Sequence, residues 1–227
     1  RIFSERGVGV AFSITSNGIW NDKQFKFIND NFQRVTISID GKKDLHDRYR
    51  VDSLGKGTFE RVFKTTNLIS QNENIELRIS ATVSSDAVER LSETALFLCE
   101  SFPNATICVE PLRMDTVIGK ACRAKSPDMR RFLMEYLSAL KVVRRETGRG
   151  NFITSFLNIS CGNSSRYCSA SGSNFIVTPS GMITACGGST HKDFPGADIF
   201  MYGEISGSKV VFSENKYLNL TRCDCNA

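Results

Sequence analysis

Segments of β character alternate with segments of helical period through the first half of the chain. That alternation constrains the fold more than any other feature. Val8–Ile14 is β-rich and ends at Ser16-Asn17-Gly18; residues 21–32 carry Phe25, Ile28 and Phe32 on one helical stripe. Arg34–Ile39 alternates strictly and breaks at Asp40-Gly41. A polar loop follows, then a helix from about Thr58 with Phe59, Val62, Phe63 and Ile69 on one side. Ile75–Val83 reads as a third strand, and Asp86-x-x-Glu89 as a capping box opening a helix with Val88, Leu91, Ala95 and Leu98. Ala105–Val109 is a fourth strand, stopped by Pro111. Strands separated by helices of this length imply right-handed βαβ crossovers and a parallel sheet. The expected fold class is α/β, with about four βα units forming part of a barrel or open sheet. Either architecture gathers its chemistry at the carboxyl ends of the strands.

A long helix is expected from Ser126-Pro127-Asp128, with a cap, Pro at its first position and an acid in its first turn. Phe132, Leu133, Tyr136, Leu137, Leu140 and Val143 would form its buried face, Gly148 would end it, and its arginines and lysines read as a solvated surface. After Phe156 the composition shifts to Gly, Ser, Asn and Cys, the mark of a second small domain. Phe175–Thr178 and Met182–Ala185 flank Pro179-Ser180-Gly181, a hairpin signal.

The net charge of +5, from 29 basic and 24 acidic residues, is too mild and scattered for a nucleic-acid binder. No apolar stretch approaches the ~18 residues of a membrane span, and no secretory signal is visible. The chain starts at Arg1 and is expected to be an excised fragment, so missing targeting signals weigh little.

Five of the eight cysteines, Cys161, Cys168, Cys186, Cys223 and Cys225, fall in the last third. Thiols gathered at one end of an α/β chain point to metal in a reducing compartment, hence a cytoplasmic location. Twelve residues separate Cys168 from Gly181 and four separate Gly181 from Cys186, so the hairpin brings both sulfurs to its open end, with Cys161 close by. Soft sulfur donors select zinc or an iron–sulfur cluster, and the spacing does not separate the two. Cys99, Cys108 and Cys122 read as buried thiols. Gly55-x-Gly57 reads as a cap and turn, and His46 as a structural hydrogen-bonding residue.

In order, Ser16-Asn17-Gly18, Ser38-Ile39-Asp40-Gly41…His46-Asp47-x-x-Arg50, Gly55-Lys56-Gly57-Thr58-Phe59, Thr82-Val83, Glu110-Pro111-Leu112 and Cys168-x₁₂-Gly181-x₄-Cys186 have a family. They resemble the later part of a radical S-adenosylmethionine (AdoMet) enzyme barrel followed by a SPASM domain, the extension that holds auxiliary [4Fe-4S] clusters. The most similar subgroup is that of anaerobic sulfatase-maturating enzymes and related peptide modifiers. The resemblance implies a partial (β/α) barrel over residues 1–118, a connecting helix and strand over 119–156, and a Cys-rich domain over 157–227. It implies that the whole enzyme acts on a peptide or protein through a 5′-deoxyadenosyl radical, with a flavodoxin or ferredoxin as reductant and no nucleic-acid or membrane partner. Ser38 would hold the ribose or carboxylate of AdoMet, Arg50 the carboxylate and the backbone near Leu112 the adenine, and Asn17 would line the pocket. Cys161, Cys168 and Cys186 would ligate an auxiliary cluster, with a fourth ligand from Cys223/Cys225 or from beyond the chain.

The family's CxxxCxxC motif would lie upstream of Arg1, so this chain by itself is expected to be inactive and no catalytic residue is assigned within it. Gly187 stands where sulfatase maturation uses an acid, which favours a different peptide or protein substrate. A rival reading is a non-catalytic α/β module whose zinc-binding tail recruits a partner. Self-association through an uncovered N-terminal strand is also expected.

Overall fold

The computed structural model describes Gly7, Gly9 and residues 11–113, 124–148, 150–154, 175–194, 197–207 and 209–215. It divides into two compact units, Arg1–Ile159 and Ser160–Ala227.

In the first unit, strands β1 (Ser13–Ser16), β2 (Arg34–Ser38), β3 (Glu76–Val83), β4 (Thr106–Pro111) and β5 (Phe152–Ile153) form one sheet in the order of the chain. Every neighbouring pair is parallel. Helices α1 (Asp22–Asn31), α2 (Lys43–Tyr49), α3 (Phe59–Ile69), α4 (Leu91–Ser101) and α5 (Met129–Thr147) lie between the strands. The winding runs in one direction, as in (β/α) barrels, without the order reversal of doubly wound sheets.

Period-2 alternation gives the two faces of this sheet opposite character. Val35, Ile37, Leu77, Ile79, Ala81, Val83, Ile107 and Val109 are buried in one core with Val62 of α3, Leu98 of α4 and Phe132 of α5. Rings reinforce that core: Phe59 stacks on Phe63 at 5.2 Å, and Phe63 meets Phe97 and Phe102 at 5.9 and 5.1 Å. The alternate residues, Thr36, Ser38, Arg78, Ser80, Thr82, Thr106, Cys108 and Glu110, are polar and half-buried. Parallel sheets are normally apolar on both faces. A polar second face suits a lumen or a ligand instead.

The second unit holds an antiparallel sheet of β6 (Ile176–Val177), β7 (Met182–Thr184), β8 (Met201–Ser206) and β9 (Lys209–Phe212), with a short helix α6 (Ala197–Phe200). The expected hairpin is there. The Gly181 N–H donates to Thr178 O at 2.9 Å, and Gly181 takes φ +82°, the left-handed region that glycine tolerates. No described helix is long and apolar enough to cross a membrane.

Several local expectations are corrected. Residues 43–49 form helix α2 rather than a polar loop, because Leu45 and His46 turn into the protein while the remaining side chains stay polar. The Asp86-x-x-Glu89 pair caps nothing. A 3₁₀ turn, Val88–Arg90, precedes α4 without a side-chain cap, since Asp86 is taken by Arg48, Tyr49 and Ser84 and Glu89 by Arg131. In α5 the cap is Asp128 itself, which accepts from the Arg131 N–H at 2.8 Å, so Pro127 lies outside the helix and no acid sits in its first turn. Leu137 is exposed rather than buried. The first strand runs from Ser13; Val8 and Val10 lie outside the described residues.

Candidate functional site

The carboxyl ends of the parallel strands bring the expected cofactor-binding residues to one edge. Asn17 follows β1, Ser38 closes β2, and Leu112 follows β4. Ser38 pairs in register with Ser80, and Ser80 with Cys108, so hydroxyls and a thiol share one row of the polar face.

Each strand end is shaped by its own residues. Asn17 Oδ1 accepts from the Ile19 N–H at 3.0 Å, an Asx turn that leaves the residue exposed. Gly18 has φ +73°, and a Cβ there would come within 2.9 Å of Ile37 Cγ2, so only glycine lets the loop fold back on β2. The Leu112 N–H donates to Val83 O at 2.8 Å. That bond extends the sheet pairing one residue past β4, and any adenine contact here would need another group.

Arg50 is placed by a residue that the sequence motif contains but to which no role was assigned. The Asp40 carboxylate receives Arg50 Nε at 2.5 Å and Nη2 at 2.9 Å, and its Oδ1 also accepts the Thr82 N–H at 2.9 Å. A bidentate fork of this kind fixes the plane of the guanidinium. It uses two of the five N–H donors. Asp40 itself bridges the ends of β2 and β3. A carboxylate one residue beyond an alternating strand, ten before an arginine, is the signal that could have found it.

The rest of the Ser38–Phe59 run supports this pair. His46 is fully buried, with Nδ1 3.4 Å from the Asp40 N–H and Nε2 3.1 Å from Thr58 Oγ1. The structural reading of this histidine therefore stands. Burial is the main reason its pKa lies below the ordinary value of 6.5; Arg50 and Lys43 add to this, and Asp40 and Asp47 oppose it. Asp47 Oδ1 accepts from the Phe59 N–H at 2.8 Å, capping α3 from outside it. Burial alone would raise the Asp47 pKa, but that backbone bond and Lys43 hold it below its usual range. Gly57 makes room for this cap: a Cβ there would come within 2.2 Å of the Asp47 carboxyl carbon.

On the polar face, Cys108 Sγ donates to Glu110 Oε1 at 3.3 Å. Burial, then Glu110, pushes the thiol up to about 11, so it stays protonated at neutral pH. Cys99 is buried inside α4, as expected.

For the metal reading, Cys186 follows β7 in a tight loop, where its N–H meets Thr184 Oγ1 at 3.2 Å and its carbonyl accepts from the Ser189 N–H at 3.0 Å. Cys122, Cys161, Cys168, Cys223 and Cys225 lie outside the described residues. Among the described residues no group of three His, Cys, Asp or Glu side chains could hold a metal.

No family model matches the chain. The cysteine-type anaerobic sulfatase-maturating enzyme of Clostridium novyi (strain NT) is 24% identical over 232 residues, covering 97% of this chain and 59% of that enzyme. A solved structure of histidine-tagged anSMEcpe with bound AdoMet superposes with a TM-score of 0.68 at 20% identity, covering 96% of this chain and 59% of that one. A second, "Native anSMEcpe with bound AdoMet and Kp18Cys peptide", has a TM-score of 0.67 at 19% identity and covers 95% of this chain and 59% of its own. At these identities the structural likeness establishes the fold. The chain spans about three-fifths of the length of the relatives it matches. Its homologues are anaerobic sulfatase-maturating enzymes, the subgroup its sequence resembles.

Proposed function

We propose that this chain is part of a radical AdoMet/SPASM oxidoreductase that modifies a peptide or protein. The observation that carries the reading is the edge itself: Asn17, Ser38, the Asp40-held Arg50 and Leu112 share the carboxyl ends of a singly wound parallel sheet. That sheet has the fold of structures described with AdoMet and, in one case, a peptide. Bound AdoMet would supply hydrogen-abstracting radical chemistry. The chain's own residues bind and orient. Ser38 offers a hydroxyl at its strand end, and Arg50 offers a charged fork suited to a carboxylate. Asn17 would line the pocket, and the half-buried polar face with Ser80, Thr82, Cys108 and Glu110 would meet the peptide. We assign 1–118 to a partial barrel, 119–156 to a connecting segment that adds α5 and β5 to it, and 157–227 to a SPASM-like domain. In that domain Cys161, Cys168 and Cys186, with Cys223 or Cys225, would hold an auxiliary [4Fe-4S] cluster. Gly187 brings no carboxylate beside Cys186, which favours a substrate other than a sulfatase peptide. A flavodoxin or ferredoxin would be the reductant, in the cytoplasm.

The test is a titration of the anaerobically reconstituted whole protein with AdoMet. Ser38→Ala and Arg50→Ala should each weaken binding by about tenfold or more, the loss of a hydrogen bond or a charged pair. Unchanged affinity in both would remove this edge as the AdoMet site. Metal analysis of the same samples separates the rival reading, in which zinc replaces iron and no AdoMet binds. Cys186→Ala should lower bound iron while Cys99→Ala leaves it unchanged.

A further inference from the structure

Four residues at the end of β2 close into a ring of hydrogen bonds. The Asp40 N–H donates to His46 Nδ1 at 3.4 Å, and His46 Nε2 lies 3.1 Å from Thr58 Oγ1. The Thr58 hydroxyl donates to the Arg50 carbonyl at 2.9 Å, and the Arg50 guanidinium returns to the Asp40 carboxylate. Donors and acceptors match all the way round in one state only. A backbone N–H can only donate, so Nδ1 must accept. The Thr58 proton is committed to a carbonyl, so Nε2 must carry the hydrogen. The imidazole is thus neutral and fixed as its Nε2–H tautomer by partners on both sides.

The ring joins three elements whose relative position sets the site. Asp40 follows β2, His46 lies in α2, and Thr58 is the N-cap of α3. Arg50 ends α2 with φ −105° and ψ 85°, outside helical values, so the helix repeat does not dictate where its side chain leaves the backbone. Its N–H is held by His46 O at 3.0 Å, and its carbonyl by Thr58. Arg50 is thus held at both ends of its main chain: its N–H by the His46 backbone carbonyl, and its carbonyl by the Thr58 N–H at 3.3 Å and by the Thr58 hydroxyl, which the His46 ring in turn fixes.

We infer that His46 and Thr58 are positioning residues for Arg50, fixing its main chain so that the guanidinium stays on Asp40 and turns its remaining donors to a ligand carboxylate at the strand edge. The identity of that ligand as AdoMet rests on the function proposed above; the positioning itself does not.

The test is NMR of the ¹⁵N-labelled protein, with Thr58→Val as the main variant. Valine keeps the shape of Thr58 and deletes both hydroxyl bonds. Thr66→Val is the control, since that hydroxyl is equally buried but bonds within α3, to Val62 O at 2.8 Å. Wild-type His46 should show the Nε2–H tautomer. The Arg50 Nε–H should exchange about tenfold faster in Thr58→Val, the effect expected from losing the hydroxyl bond to the Arg50 carbonyl, while Thr58→Ser and Thr66→Val keep the wild-type rate. An Nδ1–H tautomer in the wild type, or unchanged exchange in Thr58→Val, overturns the inference; the tautomer result stands even if the valine variant fails to fold. AdoMet titration of Arg50→Ala reports separately. Retained affinity there would sink the ligand assignment, and the exchange rates would still decide the positioning role.

Discussion

The Asp47 carboxylate caps a helix, and its place there depends on a neighbour without a side chain. It caps α3 through the Phe59 N–H while lying against the bare Cα of Gly57. Gly57→Ala would force that carboxylate away and uncap α3. We expect a loss of about 1–3 kcal/mol, as for an overpacked site, read as a lower urea midpoint at unchanged m. His46 adds a pH dependence whose sign follows from its burial. Its pKa is lower in the folded protein than the 6.5 it has when unfolded, so the unfolded chain binds the extra proton first. Stability should be level above about pH 6.5 and fall as the pH drops below it. Urea unfolding at pH 7.5 and 5.5 checks this; a His46→Gln variant should lose that portion of the acid sensitivity. Identical pH profiles for the two proteins would remove His46 as the source of the slope. Asp86 acts in a lower range: held down to about 2 against its burial by Ser84, Arg48 and Tyr49, it contributes only as the pH falls through about 4 toward 2.

The longest helix shows what a cap decides. Asp128 accepts the Arg131 N–H, and Gly148 closes the other end at φ +66°. Asp128→Ala should cost about 1 kcal/mol, measured by thermal unfolding, with no change at the strand-end site. Elements of this kind were legible because their signals are local: Phe132, Tyr136 and Val143 recur at helical spacing, and Ile37 and Ile79 alternate with polar residues. Helix α2 was not legible. Its seven residues bury only Leu45 and His46, too few to display a stripe, and tertiary hydrogen bonds hold it. The supposed capping box at Asp86 failed for the same reason in reverse, because a partner distant in sequence, Arg48, took the carboxylate. At the site, Ser38, Arg50, Asn17 and Leu112 could be placed on strand ends from the pattern. Asp40 as the partner of Arg50 depends on a contact that spacing alone does not express.

Across the whole first unit, β1 forms one edge of the described sheet and pairs only with β2 among the described residues. An edge of a parallel sheet leaves a row of backbone donors and acceptors open to pairing. We expect this chain on its own to self-associate through that edge, since a two-fold contact pairs the strand with its copy. Light scattering at ~100 μM, well above typical weak association constants, checks it. A strict monomer would mean that other residues cover β1. The strand order has a different consequence, one of time. Because each strand lies beside the next one in the sequence, every βα unit can dock on its predecessor once it is synthesised, although β2 must wait for β3, whose Glu76 pairs with Arg34. Domains form from the N-terminus first during synthesis. The Asp40–Arg50 pair, ten residues apart, forms early in that order. It is completed only when β3 delivers the Thr82 N–H, so the ligand edge matures one strand behind the growing sheet.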